Sequence, residues 1–301
     1  MTAAKARDLD VMIVGVGRSG TTLLASMLKA SDDIAVLPET QILRRIFIKR
    51  TASLTKFDDM SAALRTDSNL DQYSVDVESI VNQFSNSESY QLRDVYRAYV
   101  GSFMPRSDQI TIEKNPTAID YLPFLRQLFP KIRIIHIKRN LEDVVASRVK
   151  AGWSSSRSPI WHLVAYQSQT AAAERDRLKY PDRHMTVSYE ELLTDPLSAT
   201  TTLCEFLGAG DPHALVNYST YADKQLTKAE PWHSNIGRPI DISRVGKGRL
   251  ELPPKVLKMI DETESPKTTA QSGLVASLSC GHGLLRQAQT YLAIKADKDN
   301  A

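Results

Sequence analysis

A chain of 301 residues with 42% hydrophobic and 24% charged residues is long enough to bury a sizeable core and too apolar to be disordered throughout. Its 38 Lys and Arg against 35 Asp and Glu leave a net charge of +3, far from the basic excess of a protein that coats nucleic acid, so no nucleic-acid partner is expected. Cys204, Cys280 and the six scattered histidines have neither metal-ligand spacing nor a disulfide framework, and no stretch reads as a signal peptide or membrane span. The expectations are no metal, no membrane span and a reduced, cytoplasmic compartment.

Val11 to Val14 is a short apolar, β-rich run, followed by the turn GVGRSG and by TTLLASMLKA at helical spacing. Strand, Gly loop and helix open a parallel α/β sheet, with the loop at the carboxyl end of the strand. A second strand is predicted at Ile34 to Leu37, ending at Pro38-Glu39. Residues 40–108 are the most polar part, with Ser, Asp and Asn clusters around 66–90 between amphipathic stretches at 41–50 and 88–104, and read as a helical insertion near the site. A strand at Gln109 to Glu113 leads to a helix at 118–129, an apolar strand at Ile132 to Ile137, a helix at Leu141 to Ala151 and a long helix at 159–179. A strand at 184–188 and helices at 189–194 and 197–207 follow. The Gly-, Pro- and base-rich segment 208–250 reads as an ordered loop over the sheet, and helices at 253–263 and 283–296 close the chain. Strands alternating with helices, without repeats or low-complexity linkers, predict one domain over residues 1–301: an α/β fold with a P-loop-type parallel sheet flanked by helices, a helical insertion and a C-terminal helical segment.

Gly15 to Thr22, GVGRSGTT, has the G-x-x-x-x-G frame of a phosphate loop with Thr21 where a lysine is usual. The glycines let successive N–H groups point inward, and the helix starting near Ser19 and Gly20 adds its positive end. Arg18 supplies the cation, and Thr21 and Thr22 add hydroxyl donors. A plain strand–turn–helix connection accounts for the glycines but not for RSGTT behind an apolar strand. A triphosphatase or kinase would want the loop lysine and a metal-binding Asp after another strand, whereas the strand RIIHI ends in Lys138-Arg139.

Arg139 leaves that strand, and Ser147 lies about a turn and a half into the following helix, so both can address one anion. On these residues alone, Arg139 is equally read as a surface partner of Glu142 or Asp143. Two anion sites suit a nucleotide carrying phosphate at both ends.

GVGRSGTTLL and IIHIKRNLEDVVASRVKAG together resemble the 5′-phosphosulfate loop and 3′-phosphate motif of sulfotransferases that use 3′-phosphoadenylyl sulfate (PAPS) as donor. Asn140 and Leu141 depart from the Asp and the Pro or Gly often found there. The run RSGTTLLASMLKASDDIAVLPETQILRRI is most similar to the tyrosylprotein sulfotransferase branch and its bacterial relatives. The resemblance spans roughly residues 11–50 and 110–260.

That resemblance implies in-line sulfuryl transfer from PAPS to an acceptor hydroxyl, leaving PAP, without a metal. It aligns Glu39 with the catalytic base and Lys114, in EKNP, with the catalytic lysine. Arg18, Ser19, Gly20, Thr21 and Thr22 fall on the 5′-phosphosulfate contacts, and Arg139 and Ser147 on the 3′-phosphate contacts. Tyr189, in VSYEELLTDP, and Lys247, in RPIDISRVGKGRLEL, match further donor-binding positions, with Arg249 beside the latter. Read without the resemblance, Glu39 is equally a helix-capping acid and Lys114 a solvated strand-end lysine. Trp153, Trp161 and Trp232 are open to a place in an acceptor pocket or in the core. The competing functions are a P-loop metabolite kinase and a nucleotide-binding module without chemistry. The acceptor (small molecule, sugar, lipid or peptide tyrosine) and the oligomeric state are not legible.

Overall fold

The computed structural model describes residues 6–37, 39–40, 57–67, 70, 75–86, 90–103, 106–152, 154–224 and 238–264. Its centre is a five-stranded parallel sheet of β1 (Val11–Val14), β2 (Ile34–Leu37), β3 (Ile110–Lys114), β4 (Arg133–Lys138) and β5 (His184–Ser188), in the order β2-β3-β1-β4-β5. Two strand boundaries lie one residue later than the sequence predicts, at Ile110–Lys114 and Arg133–Lys138. All five strands run the same way, so the segments after Val14, Leu37, Lys114, Lys138 and Ser188 emerge along one edge. From β1 the chain goes outward to β2 and later crosses to β4 on the other side, which puts the loop after β1 at a switch point of the sheet.

Residues alternate between two cores, as a strand's period of two requires. Met12 and Val14 join one cluster with Leu37, Tyr96, Tyr99, Phe124 and Phe129, while Val11 and Ile13 join the other with Leu24, Leu28, Ile135, Ile137 and Leu203. The first cluster holds three insertion helices, α2 (Phe57–Arg65), α3 (Val77–Asn82) and α4 (Leu92–Ser102), through Met60, Leu64, Ile80, Val95 and Tyr96. The amphipathic stretch expected at 41–50 lies outside the described residues. The second cluster is closed by α1 (Thr21–Leu28) and, further along, by the helices that follow β5.

The helix expected over 118–129 forms in two pieces, a 3-10 turn at Pro116–Tyr121 and α5 (Leu122–Leu128). Pro116 starts the first piece, where its missing N–H costs nothing, and Tyr121, at φ −137°, breaks the run. Then come α6 (Leu141–Lys150), α7 (Pro159–Lys179), α8 (Tyr189–Thr194) and α9 (Pro196–Leu207). The described parts of 208–250 are more than a loop. They hold α10 (Pro212–Val216), 3-10 turns at Tyr218–Lys224 and Ile242–Arg244, and α11 (Lys247–Glu251). Asp211 and Asp241 start two of these by accepting from His213 N at 2.9 Å and Ser243 N at 3.1 Å, an N-cap device in a segment whose Gly and Pro content hides it. α12 (Pro254–Glu264) follows. The helix predicted at 283–296, Cys280, Trp153 and Trp232 lie outside the described residues.

Candidate active site

The loop after β1 turns tightly, with Ser19 N donating to Val16 O at 2.9 Å. Arg18 is held at φ 81°, a left-handed conformation that costs a non-glycine residue energy, and Gly20 follows at φ 101°. A Cβ on Gly20 would come within 2.7 Å of Cε2 of Tyr189, so only glycine lets that ring lie over the loop. Gly20 caps α1 without a side chain, and the first turn carries no acid. The amide groups and positive end of the helix are therefore left for an external anion. Ser19 is fully buried, and its Oγ has no hydrogen-bond partner among the described residues.

From the end of the adjacent strand β4, Arg139 meets this loop. Its Nη1 donates to Arg18 O at 3.3 Å, its Nη2 to Arg244 O at 3.1 Å, and its guanidinium lies 4.4 Å from the centre of the Tyr189 ring. Arg18 Nε donates to Ser147 Oγ at 3.0 Å. Burial, and then the neighbouring Arg139 and Arg244, push the Arg18 guanidinium below its usual range. Three guanidinium groups drawn together in this way favour an anion among them.

Arg244 is carried in by a turn anchored on α6. Asp143, buried there, accepts from Gly246 N at 3.0 Å and Gly248 N at 2.6 Å, and stands 3.6 Å from Arg139. A Cβ on Gly248 would come within 2.5 Å of Asp143 N, so the turn can rest on the helix only with glycine there. The ion pair between Arg139 and Asp143 that the sequence allows does form, and it coexists with the contacts to the loop.

Arg18, Gly20, Thr21, Thr22, Arg139, Tyr189, Arg238 and Arg244 line a cavity of about 400 Å³, with Leu193, Tyr218 and Ile240 as apolar wall. Such a volume is within the range of small-molecule sites. Ser19 and Ser147 are not among its lining residues, and Ser147 is joined to one of them, Arg18. Lys247 is exposed at the start of α11 and does not line the cavity; Arg238 and Arg244, from the same stretch of sequence, do. Arg249 is paired with Asp261 at 2.9 Å, away from the lining. Trp161 is 37% exposed and carries Arg157 at 4.8 Å from its ring.

Further along the same edge, Glu39 follows β2 and Lys114 ends β3. Lys114 Nζ donates to Glu39 Oε2 at 2.7 Å, with side chains 15% and 33% exposed. The two residues that the resemblance aligns with catalytic positions are thus in contact. Neighbouring Glu113 is completely buried, and burial pushes its carboxyl up to about 8, against hydrogen bonds from Thr40 N and Asn115.

Arg238, Arg244, Tyr218 and Glu113 are the residues that sequence reasoning missed. An Asp241 turn start three residues before Arg244 was a usable signal, as was a glutamate inside the strand ITIEK. Arg238 and Tyr218 carry no local signal.

Fold and site together define a parallel α/β protein with an arginine-lined cavity at the carboxyl edge of its sheet. A family model described as the sulfotransferase family matches residues 10–212, more than half of the chain, and the chain belongs to that family. Among curated proteins it is similar to protein-tyrosine sulfotransferase 1 of Danio rerio, 22% identical over 256 residues covering 82% of this chain and 68% of the relative. It is also similar to protein-tyrosine sulfotransferase of Drosophila melanogaster, 25% identical over 262 residues covering 82% and 48%. The chain therefore spans about two thirds of one relative's length and half of the other's. Among solved structures it shares its fold with the sulfotransferase domain of the Synechococcus PCC 7002 olefin synthase, at TM-score 0.65 and 19% identity over 91% of this chain and 94% of that one. The sulfotransferase domain of the curacin biosynthetic pathway matches at TM-score 0.55 and 16% identity, over 91% and 98%.

Proposed function

We propose that the chain transfers a sulfuryl group from PAPS to an acceptor hydroxyl, and that residues 1–301 form one domain that does so in the cytoplasm. The observation that carries the donor assignment is the convergence of Arg18, Arg139 and Arg244 on one cavity, beside the uncapped start of α1. The buried, unpartnered Ser19 Oγ and Arg139 Nε fit a ligand rich in acceptor oxygens.

In this reading Arg18, Ser19, Gly20, Thr21 and Thr22 hold the 5′-phosphosulfate, and Arg139 with Ser147 holds the 3′-phosphate. Arg244 takes the part that the resemblance gives to Lys247, leaving Lys247 at the rim, and Tyr189 braces Arg139 and Gly20. When bound, PAPS supplies the activated sulfuryl group. Glu39 accepts the proton of the acceptor hydroxyl, and Lys114 stabilises negative charge developing on the oxygen that leaves. Their 2.7 Å contact keeps both groups at one place on the sheet edge before the acceptor arrives.

The acceptor is a hydroxyl on a small molecule, sugar, lipid or peptide tyrosine, the last class being suggested by the names of the curated relatives. No described helix is long and apolar enough to cross a membrane.

Calorimetry without metal tests the donor assignment. PAP is expected to bind more tightly than ADP, because only PAP carries the 3′-phosphate. Equal affinities would overturn the assignment, and tight ATP–magnesium binding would favour a kinase. PAP binding without sulfated product from phenol, sugar, lipid or tyrosine-peptide probes, read by mass spectrometry, would leave a binding module. Cell fractionation tests the compartment.

A further inference from the structure

β3 ends in Glu113-Lys114, Asn115 follows with extended backbone, and the period of two sends Lys114 to one side and its neighbours to the other. Lys114 meets Glu39, while both neighbours meet the residue after it. Glu113 Oε1 accepts from Thr40 N at 3.2 Å, and Asn115 Nδ2 donates to Thr40 O at 3.0 Å and to Glu113 Oε1 at 3.2 Å. The second Glu113 oxygen is hydrogen-bonded to Tyr96 OH, to which a protonated carboxyl donates, and Thr40 Oγ1 donates to Asp67 Oδ2 at 3.0 Å. Glu113, Asn115 and Asp67 are completely buried and Thr40 almost so. The N–H that Glu113 holds belongs to the peptide unit joining Glu39 to Thr40, and the C=O that Asn115 holds begins the next one.

We propose that Glu113 and Asn115 are positioning residues: by gripping Thr40 at its N–H and its C=O, they set the Glu39 carboxylate against Lys114. The catalytic consequence rests on reading Glu39 as the base. Gripped at one end only, the Glu39–Thr40 unit could rotate and carry the carboxylate off the lysine. Glu113 suits the task as a neutral acid. Charged, it would face Glu39 and Asp67, and its burial beside Tyr96 and Tyr121 opposes ionisation. Glutamine imitates a neutral carboxyl in shape and hydrogen bonding, whereas alanine removes the grip.

The test combines crystal structures of Glu113→Gln, Glu113→Ala and Asn115→Ser with PAP calorimetry and with PAP release from PAPS using 4-nitrophenol as hydroxyl probe. Glu113→Gln is expected to keep the Lys114–Glu39 contact and the wild-type kcat. Glu113→Ala and Asn115→Ser are expected to open that contact and lower kcat about 100-fold, the effect of misplacing a reacting group by about 1 Å, with PAP affinity and donor KM unchanged. Should Glu113→Ala fail to fold, Asn115→Ser carries the comparison, since it removes the Nδ2 bonds to Thr40 O and Glu113 Oε1 while leaving a small polar side chain in place. An unchanged Lys114–Glu39 contact in Glu113→Ala or Asn115→Ser, whichever folds, overturns the proposal. So does an opened contact with full kcat, if Glu39→Gln is inactive. Full kcat in Glu39→Gln overturns instead the reading of Glu39 as base, and the crystallographic contact still decides whether Glu113 and Asn115 position it.

Discussion

Arg18 and Ser147 stand 129 residues apart in the chain and meet through a 3.0 Å hydrogen bond from Nε to Oγ. The bond ties the loop after β1 to the helix after β4, alongside the bond from Arg139 Nη1 to Arg18 O. Ser147→Ala is expected to free the Arg18 side chain and weaken PAP binding about 10-fold, close to the value of one hydrogen bond to a charged group. Calorimetry checks it, with unchanged affinity as the contrary result.

Gly20 combines φ 101° with the Tyr189 ring lying where a Cβ would be. Gly20→Ala is expected to cost about 1–3 kcal/mol of stability from backbone strain, and to displace the ring that braces Arg139. Urea unfolding measures the first effect and PAP affinity the second. Tyr189→Ala in the same chain should relieve the ring clash but not the backbone strain, so only part of the stability returns.

The Glu39–Lys114 contact predicts separable losses. Glu39→Gln is expected to lower kcat about 100-fold or more by removing the proton acceptor, and Lys114→Ala by a similar factor through lost charge stabilisation. Glu39 does not line the cavity, so PAP affinity should hold in Glu39→Gln, whereas Lys114→Ala should also weaken PAP binding, because the charge on the leaving oxygen stays on the 5′-phosphate of PAP. Near wild-type turnover in either one removes its assigned role.

Glu113 makes a prediction about pH. Its carboxyl titrates near 8 in the folded chain and near 4.5 when unfolded, because burial disfavours the charge. Below the lower value both states hold the proton. Between the two, the unfolded chain has released it and the folded chain has not, so stability falls as pH rises and levels off above about 8. Glu113→Gln cannot ionise and lacks this loss. Its melting temperature relative to wild type should climb from pH 5 to pH 8, and a constant difference across that range would contradict the assignment.

Local chemistry makes much of this molecule legible in its residue order. β1, the glycine loop and α1 follow from an apolar run, φ-permissive residues and helical spacing, all properties of neighbours in the chain. Arg18 and Arg139 are recognisable in the segments that follow predicted strands, while Glu39 and Lys114 are picked out by the family resemblance, and a parallel sheet brings all four to one edge.

Other features rest on contacts no short window contains. Arg244 enters the cavity because Asp143, about a hundred residues earlier, accepts from the backbone of Gly246 and Gly248, while Lys247 and Arg249 from the same basic stretch point elsewhere. The turns within 208–250 form under side-chain caps and packing that its composition masks. Glu113 looks like one more charge in a strand; only the burial of both sheet faces makes it a neutral acid holding Thr40. Residue order by itself determined the strands, the loop and the edge where the chemistry would lie, because those depend on covalent neighbours and on period. Tertiary structure alone decided which basic groups converge and which carboxyl loses its charge, because both depend on distance through space and on the removal of water.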